Sequence, residues 1–171
     1  MKINSRLNEF VGEDFHEEEV MTPEEPINRS VVVESEPSIV ADVCSLVLSE
    51  LEENGFSKDD VFAVHLALGE AFVNAVEHGN KMAPDKKVTI NYSTDSDKVE
   101  VSVSDDGEGF NPEVVPDPRC GVNLYRPQGR GLLLIHSYMD VVKFNERGNT
   151  IHMVRYRERP RLIEDLSPNH T

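Results

Sequence analysis

The sequence predicts an α/β two-layer sandwich: a mixed, largely antiparallel sheet covered on one face by helices. Three observations predict it. Two segments alternate apolar and polar residues with the period of a half-buried strand, at Val88/Ile90/Tyr92 and at Val99/Val101/Val103. Two others carry apolar residues at helical spacing, and one of these is apolar nearly all round. A strand-turn-strand pattern follows at 141–156.

Taken in order, Val31, Val32 and Val33 mark a first strand between Arg29 and Ser35. Glu36-Pro37-Ser38 opens a helix, with proline in the first turn, where its missing N–H does no harm. Ile39, Val40, Val43, Leu46, Val47 and Leu51 keep helical spacing until Asn54-Gly55 stops it. Ser57 suits the N-cap of a second helix, with Asp60 three residues on as an approximate capping box. This helix is expected to run to about His78 and to end at Gly79. The two alternating strands follow. A long loop from about Asn111 to Gln128 contains Pro112, Pro116, Pro118 and Pro127. A third helix is expected from about Gly129 to Met139. Val141 to Phe144 and Thr150 to Tyr156 form a hairpin closed by Glu146-Arg147-Gly148-Asn149. Residues 1–28 then make an acidic, flexible segment, 29–157 one folded domain, and 158–171 a charged tail.

The 171 residues suit a single domain with tails, and 38% hydrophobic content is enough for a packed core. No apolar run approaches the roughly 18 residues that span a bilayer. The N-terminus lacks the basic-then-apolar order of a signal peptide, so a cytoplasmic protein is expected. Cys44 reads as a small core residue and Cys120 as a bystander in a polar loop; a cytoplasmic setting disfavours a disulfide. The balance of 32 acidic against 17 basic residues gives a net charge of −15. Such a chain is poorly suited to nucleic acid, whose phosphates need cations, and better suited to a protein partner with a basic surface.

The helix at 57–78 holds the densest information. Val61, Val64, Leu68, Phe72 and Ala75 form one apolar face, and Phe62, Leu66 and Val73 a second, so burial on most sides is expected. The remaining stripe is Ala63, Ala67, Glu70, Asn74 and His78, with the last three spaced by four and therefore stacked along one line. A carboxylate in such surroundings calls for a cation or a ligand, and an amide oxygen beside it suits a hard cation such as Mg²⁺. Taken alone, the pair also fits a buried Glu–Asn hydrogen bond that only fixes the helix. His78, beside Gly79, also fits a helix C-terminal cap.

Asp105 has the strand parity of Val99, Val101 and Val103 and so points to the apolar face. A carboxylate there suits a ligand donor such as an adenine amino group. In Asp105-Asp106-Gly107-Glu108-Gly109-Phe110, two glycines permit close backbone approach, although an ordinary acidic turn has the same composition. Gly129-Arg130-Gly131-Leu132 precedes Leu133, Leu134, Ile135, Tyr138 and Met139, and backbone N–H groups at such a helix start suit phosphate. It is neither a P-loop nor a dinucleotide fingerprint. The preceding loop, with Arg119 and Arg126, has the length of a lid.

The order and spacing of these segments carry more than each alone. Glu70-Ala71-Phe72-Val73-Asn74-Ala75-Val76-Glu77-His78-Gly79 resembles the N-box of the GHKL, or Bergerat-fold, ATPases. Asp105 to Phe110 resembles their first glycine box, Gly129 to Ile135 their second, and Gly148-Asn149-Thr150 also fits. Within that superfamily the chain is most similar, over about Arg29 to Tyr156, to the anti-sigma-factor serine/threonine kinases of bacterial partner switching.

The resemblance implies an ATP- and Mg²⁺-dependent protein serine/threonine kinase that phosphorylates an anti-sigma-factor antagonist and sequesters a sigma factor. A homodimer is also among its implications. It implies that Glu70 is the general base, that Asn74 holds Mg²⁺, and that Asp105 accepts from adenine. Gly107 and Gly109 would admit the nucleotide, Gly129, Arg130, Gly131 and Leu132 would cradle phosphate, and Thr150 would lie near adenine. Sensor-kinase autophosphorylation on histidine is not expected, since the resemblance includes no phospho-accepting helical hairpin. The alternative it leaves open is a catalytically silent ATP-binding module that acts only by protein binding.

Overall fold

The period-two segments pair into one sheet. In the computed structural model, which describes residues 27–112 and 130–157, β1 (Ile27–Glu34), β2 (Lys87–Thr94), β3 (Lys98–Asp105), β4 (Val141–Phe144) and β5 (Thr150–Tyr156) form a five-stranded sheet in the order β1-β2-β3-β5-β4. Every pairing among the described strands is antiparallel, so the sheet has no parallel pair where the sequence allowed a mixed one. The register places Val31, Ile90, Val103 and Ile151 across from one another on the same face. The acidic N-terminal segment before residue 27, Cys120 and the charged tail lie outside the described residues.

Three helices cover that face. Pro37–Ile39 forms a 3₁₀ turn with proline at its start, and α1 (Val40–Glu53) continues from it. α2 (Lys58–Asn74) is the central helix, and α3 (Arg130–Tyr138) packs along it. Val47, Leu51, Val64, Leu68, Phe72 and Ile135 meet Val88, Ile90, Val99, Val101 and Met153 in a core with almost no exposure. Cys44 lies in this core as a free thiol, and burial pushes its pKa up.

Two features of α2 differ from the sequence reading. Ser57 does cap the helix, with its Oγ accepting from the Asp60 N–H at 3.0 Å. Asp60 does not close a capping box: its Oδ2 accepts from the Ser57 hydroxyl at 2.7 Å, and its Oδ1 accepts from Arg155 Nε at 3.0 Å. The carboxylate, fully buried, thus joins the start of α2 to β5. The second apolar face of α2 is not buried either. Phe62 is 53% exposed and meets Tyr138 of α3 edge to face at 5.9 Å, while Leu66 and Val73 are only half-buried. The helix lies on the sheet by one face only, so its opposite face reaches the surface.

α2 ends as expected near Gly79, but by a change of winding. Ala75–Gly79 is a π turn, and Lys81 and Met82 follow with left-handed φ of 55° and 57°. Asn80 fixes this reversal. It is fully buried, its Nδ2 donates to Lys87 O (2.8 Å) and Ser35 Oγ (3.1 Å), and its Oδ1 accepts from the Asp106 N–H (2.9 Å). One side chain thereby ties the end of α2 to the turn after β3.

Candidate active site

A cleft of about 780 Å³ opens between α2, the start of α3 and the ends of β3 and β5. It is bordered by Glu70, Asn74, Asp105, Gly109, Arg130, Gly131, Leu132 and Thr150 from the sequence reading. Gly107 is buried just beneath Asp105. Gly129, Arg119 and Arg126 lie outside the described residues.

At one end, Glu70 and Asn74 face α3. A Cβ on Gly131 would fall 2.6 Å from Glu70 Oε2 and 3.3 Å from Asn74 Nδ2, so a side chain there would make the Glu70 carboxylate shift. Ala63 and Ala67, on the same stripe, are fully buried. Glu70 is half-buried and borders the cleft. Arg130 stands exposed at the cleft edge, and Leu132 packs on the core beneath. His78 borders the same cleft and is exposed.

At the other end, Asp105 pairs in register with fully buried Val88, which places its carboxylate on the core face as its parity required. Its Oδ1 accepts from the Gly107 N–H at 2.8 Å. A side chain at Gly79 or at Gly107 would collide with that carboxylate. Burial pushes the Asp105 carboxyl above its ordinary pKa, against the downward pull of the Gly107 N–H and of the Lys86 and Arg147 charges. A half-buried carboxylate with one oxygen already paired to the Gly107 N–H keeps its second oxygen for a donor from the cleft.

The turn that follows is locked to the β4–β5 hairpin. Gly109 (φ 75°) and Gly148 (φ 72°) each face the partner segment's backbone, at Arg147 and Phe110 respectively, so close that a Cβ would not fit. Phe110 N–H donates to Arg147 O (3.0 Å), Arg147 Nη2 donates to Gly107 O (3.2 Å), and Phe110 meets Phe144 edge to face at 5.1 Å. Thr150 borders the cleft, but its hydroxyl is committed to Ser104 Oγ at 3.0 Å.

One half of the cleft therefore offers a carboxylate acceptor between apolar walls, and the other a carboxylate, an amide and a helix start. A profile of the histidine kinase-like ATPase domain matches residues 33–155. The chain belongs to the histidine kinase-like ATPase domain family. The chain is similar to the serine-protein kinase RsbW of Bacillus licheniformis, with 30% identity over 118 residues that cover 63% of this chain and 72% of that one. RsbW of Listeria monocytogenes serovar 1/2a is 33% identical over 118 residues, covering 65% and 75%. RsbW of Bacillus subtilis is 29% identical over 143 residues, covering 79% and 89%. The fold also matches a crystal structure of RsbU and RsbW domains from Mycobacterium tuberculosis, with a TM-score of 0.51 and 17% identity. That match covers 78% of this chain and 33% of the other.

As a histidine kinase-like ATPase domain, the chain uses ATP, and the cleft has the size range of small-molecule and cofactor sites. Among the described residues no cluster of three or more His, Cys, Asp or Glu side chains could hold a metal by itself. The Asn74 amide oxygen still fits Mg²⁺, which commonly takes one or two protein oxygens and completes its shell with phosphates and water. Among the described residues no helix is long and apolar enough to cross a membrane. The sequence assigned no role to three residues that shape the site: Asn80, Arg147 and, although it lies in the matching Gly148-Asn149-Thr150 stretch, Asn149. Each looked like ordinary turn composition, and only the fold brings them against Asp105, Asp106 and Gly107.

Proposed function

We propose that this protein is an ATP-dependent serine/threonine kinase that phosphorylates an anti-sigma-factor antagonist and sequesters a sigma factor. The observation that carries the proposal is the contact of Gly131 with Glu70 and Asn74 at the far end of the cleft from Asp105. Support also comes from the similarity to proteins named serine-protein kinase RsbW.

In this reading Asp105 accepts from the adenine 6-amino group, Gly107 supports that carboxylate from beneath with its N–H, and Gly109, seated on the Arg147 backbone, borders the nucleotide. The triphosphate then runs towards α3, where Gly129, Arg130, Gly131 and Leu132 hold it through main-chain N–H groups and one guanidinium. Asn74 would hold Mg²⁺, which would supply positive charge against the phosphates. Glu70 takes the proton from the acceptor hydroxyl as that oxygen bonds to the γ-phosphorus and ADP departs. Thr150 flanks the adenine end, with its hydroxyl steadying Ser104. The chain is a cytoplasmic homodimer whose partners are proteins, and its charge of −15 favours basic partner surfaces over nucleic acid. The folded unit begins with β1 at Ile27, two residues before the expected boundary at 29, and runs to 157, between the acidic N-terminal segment and the charged tail 158–171.

The test is transfer of radiolabel from γ-labelled ATP to the candidate antagonist, with Mg²⁺ present. Label on a serine or threonine of the antagonist is expected. Measured ATP binding with no label transfer would overturn the kinase assignment.

A further inference from the structure

The β3–β5 ladder ends with Ser104 paired to Thr150, one residue short of Asp105. Beyond that point, the Asp105 N–H still donates to Asn149 O at 3.0 Å. The reciprocal main-chain bond is not made, because the Asn149 N–H donates instead to Asn145 Oδ1 at 3.1 Å. The Asn149 side chain takes its place: Nδ2 donates to Asp105 O at 3.0 Å. The other amide atom, Asn149 Oδ1, accepts from Asn145 Nδ2 at 2.9 Å, and Asn145 Oδ1 also accepts from the Thr150 N–H at 3.2 Å. Both amides are thus oriented by their own partners, and Asn149 has a fixed direction in which to hold Asp105.

The consequence concerns the carboxylate. Its Oδ1 is engaged by the Gly107 N–H, which leaves Oδ2 as the oxygen available to a ligand. The position of Oδ2 depends on where the main chain of Asp105 sits, and Asn149 holds that main chain through both its N–H and its C=O. Without the side-chain bond, the last residue of β3 has a carbonyl with no ladder partner and more freedom to shift.

We propose that Asn149 is a positioning residue for purine selection: its side-chain amide fixes the main chain of Asp105 and so sets the discrimination between 6-amino and 6-oxo purine triphosphates. This rests on the reading of Asp105 as the adenine acceptor. An oxygen at purine position 6 presents no donor to Oδ2, so discrimination is strongest when Oδ2 is held in place and falls when it can retreat.

The experiment is the ratio of ATP to ITP affinity, measured by calorimetry with Mg²⁺ in the full chain. Wild type, Asp105→Asn, Asn149→Ala, the isosteric Asn149→Asp and the core variant Val47→Ala are compared well below their melting temperatures. Wild type should prefer ATP, and Asp105→Asn should lose or reverse that preference. Asn149→Ala should lower the ratio by about tenfold, the size of one lost hydrogen bond. Val47→Ala, destabilised but remote, should keep it. If Asn149→Ala does not fold, Asn149→Asp removes the same donor without a change of size. An unchanged ratio in both Asn149 variants, with the ratio lost in Asp105→Asn, would overturn this proposal and leave the reading of Asp105 intact. An unchanged ratio in Asp105→Asn would overturn both.

Discussion

Gly131 of α3 lies against Glu70 of α2 with no room for a side chain between them: a Cβ would stand 2.6 Å from Glu70 Oε2. The contact sets both the height of the helix start over the cleft and the rotamer of the proposed base. Gly131→Ala should therefore displace one or the other. Phosphotransfer should fall by about 10- to 100-fold, as misplacement by about an ångström does. The melting temperature should stay within about 4 °C, because alanine favours a helix. A full-rate Gly131→Ala enzyme would show that the closeness has no catalytic role.

Gly148 faces the opposite constraint, a backbone one. Its φ of 72° disfavours any other residue, and a Cβ would run into the Phe110 main chain. Gly148→Ala combines left-handed strain with overpacking, and destabilisation by about 2–4 kcal/mol is expected in urea unfolding. An effect under about 0.5 kcal/mol would mean that the two turns are not locked together.

Asp105 gives a pH signature. Its carboxyl is pushed above its ordinary pKa, mainly by burial, so the unliganded native state binds protons more tightly than the unfolded chain. Stability from this group is present at low pH and is lost as pH rises through the raised value. Asp105→Asn removes that loss. The variant should gain stability relative to wild type as pH rises from about 4 to neutrality, while it binds ATP about 10- to 100-fold more weakly. Urea midpoints across that range, paired with calorimetry, check both halves, and a difference of opposite sign would contradict the assigned cause.

Arg155 guards a different charge. Asp60 is fully buried, and Arg155, whose side chain is 17% exposed, reaches it at 3.0 Å, Tyr138 O at 3.4 Å and Asp140 Oδ1 at 3.8 Å. The end of α3 and the start of α2 thus share one guanidinium with β5. Arg155→Ala should cost about 3–5 kcal/mol of stability, the usual result of stranding a buried charge. Much less than that would indicate that water reaches Asp60.

Much of this was legible in the sequence for physical reasons. Period-two alternation located β2 and β3, and Asp105 could be placed on the core face because parity in a strand leaves no choice. Glu70 and Asn74 could be put on one line because helical spacing is fixed. What was not legible depends on contacts between distant segments. The outer face of α2, with Phe62 half-exposed, reads as buried when only hydrophobicity is counted. Asp60 reads only as a partner of the Ser57 cap because Arg155, which it also pairs with, is 95 residues away. Asn80, Arg147 and Asn149 are turn residues by composition, and their hydrogen bonds to the 105–107 segment exist only once the end of α2 and the β4–β5 hairpin both pack against the end of β3.

The central claim, that Glu70 acts as the base on a protein hydroxyl at an ATP site, is tested most directly with Glu70→Gln. The amide keeps the size of the side chain beside Gly131 and cannot take a proton. ATP affinity is predicted to stay within about threefold of wild type, while single-turnover transfer to the antagonist falls by about 10²- to 10⁴-fold. Transfer at the wild-type rate, or ATP affinity that collapses along with it, would contradict the account.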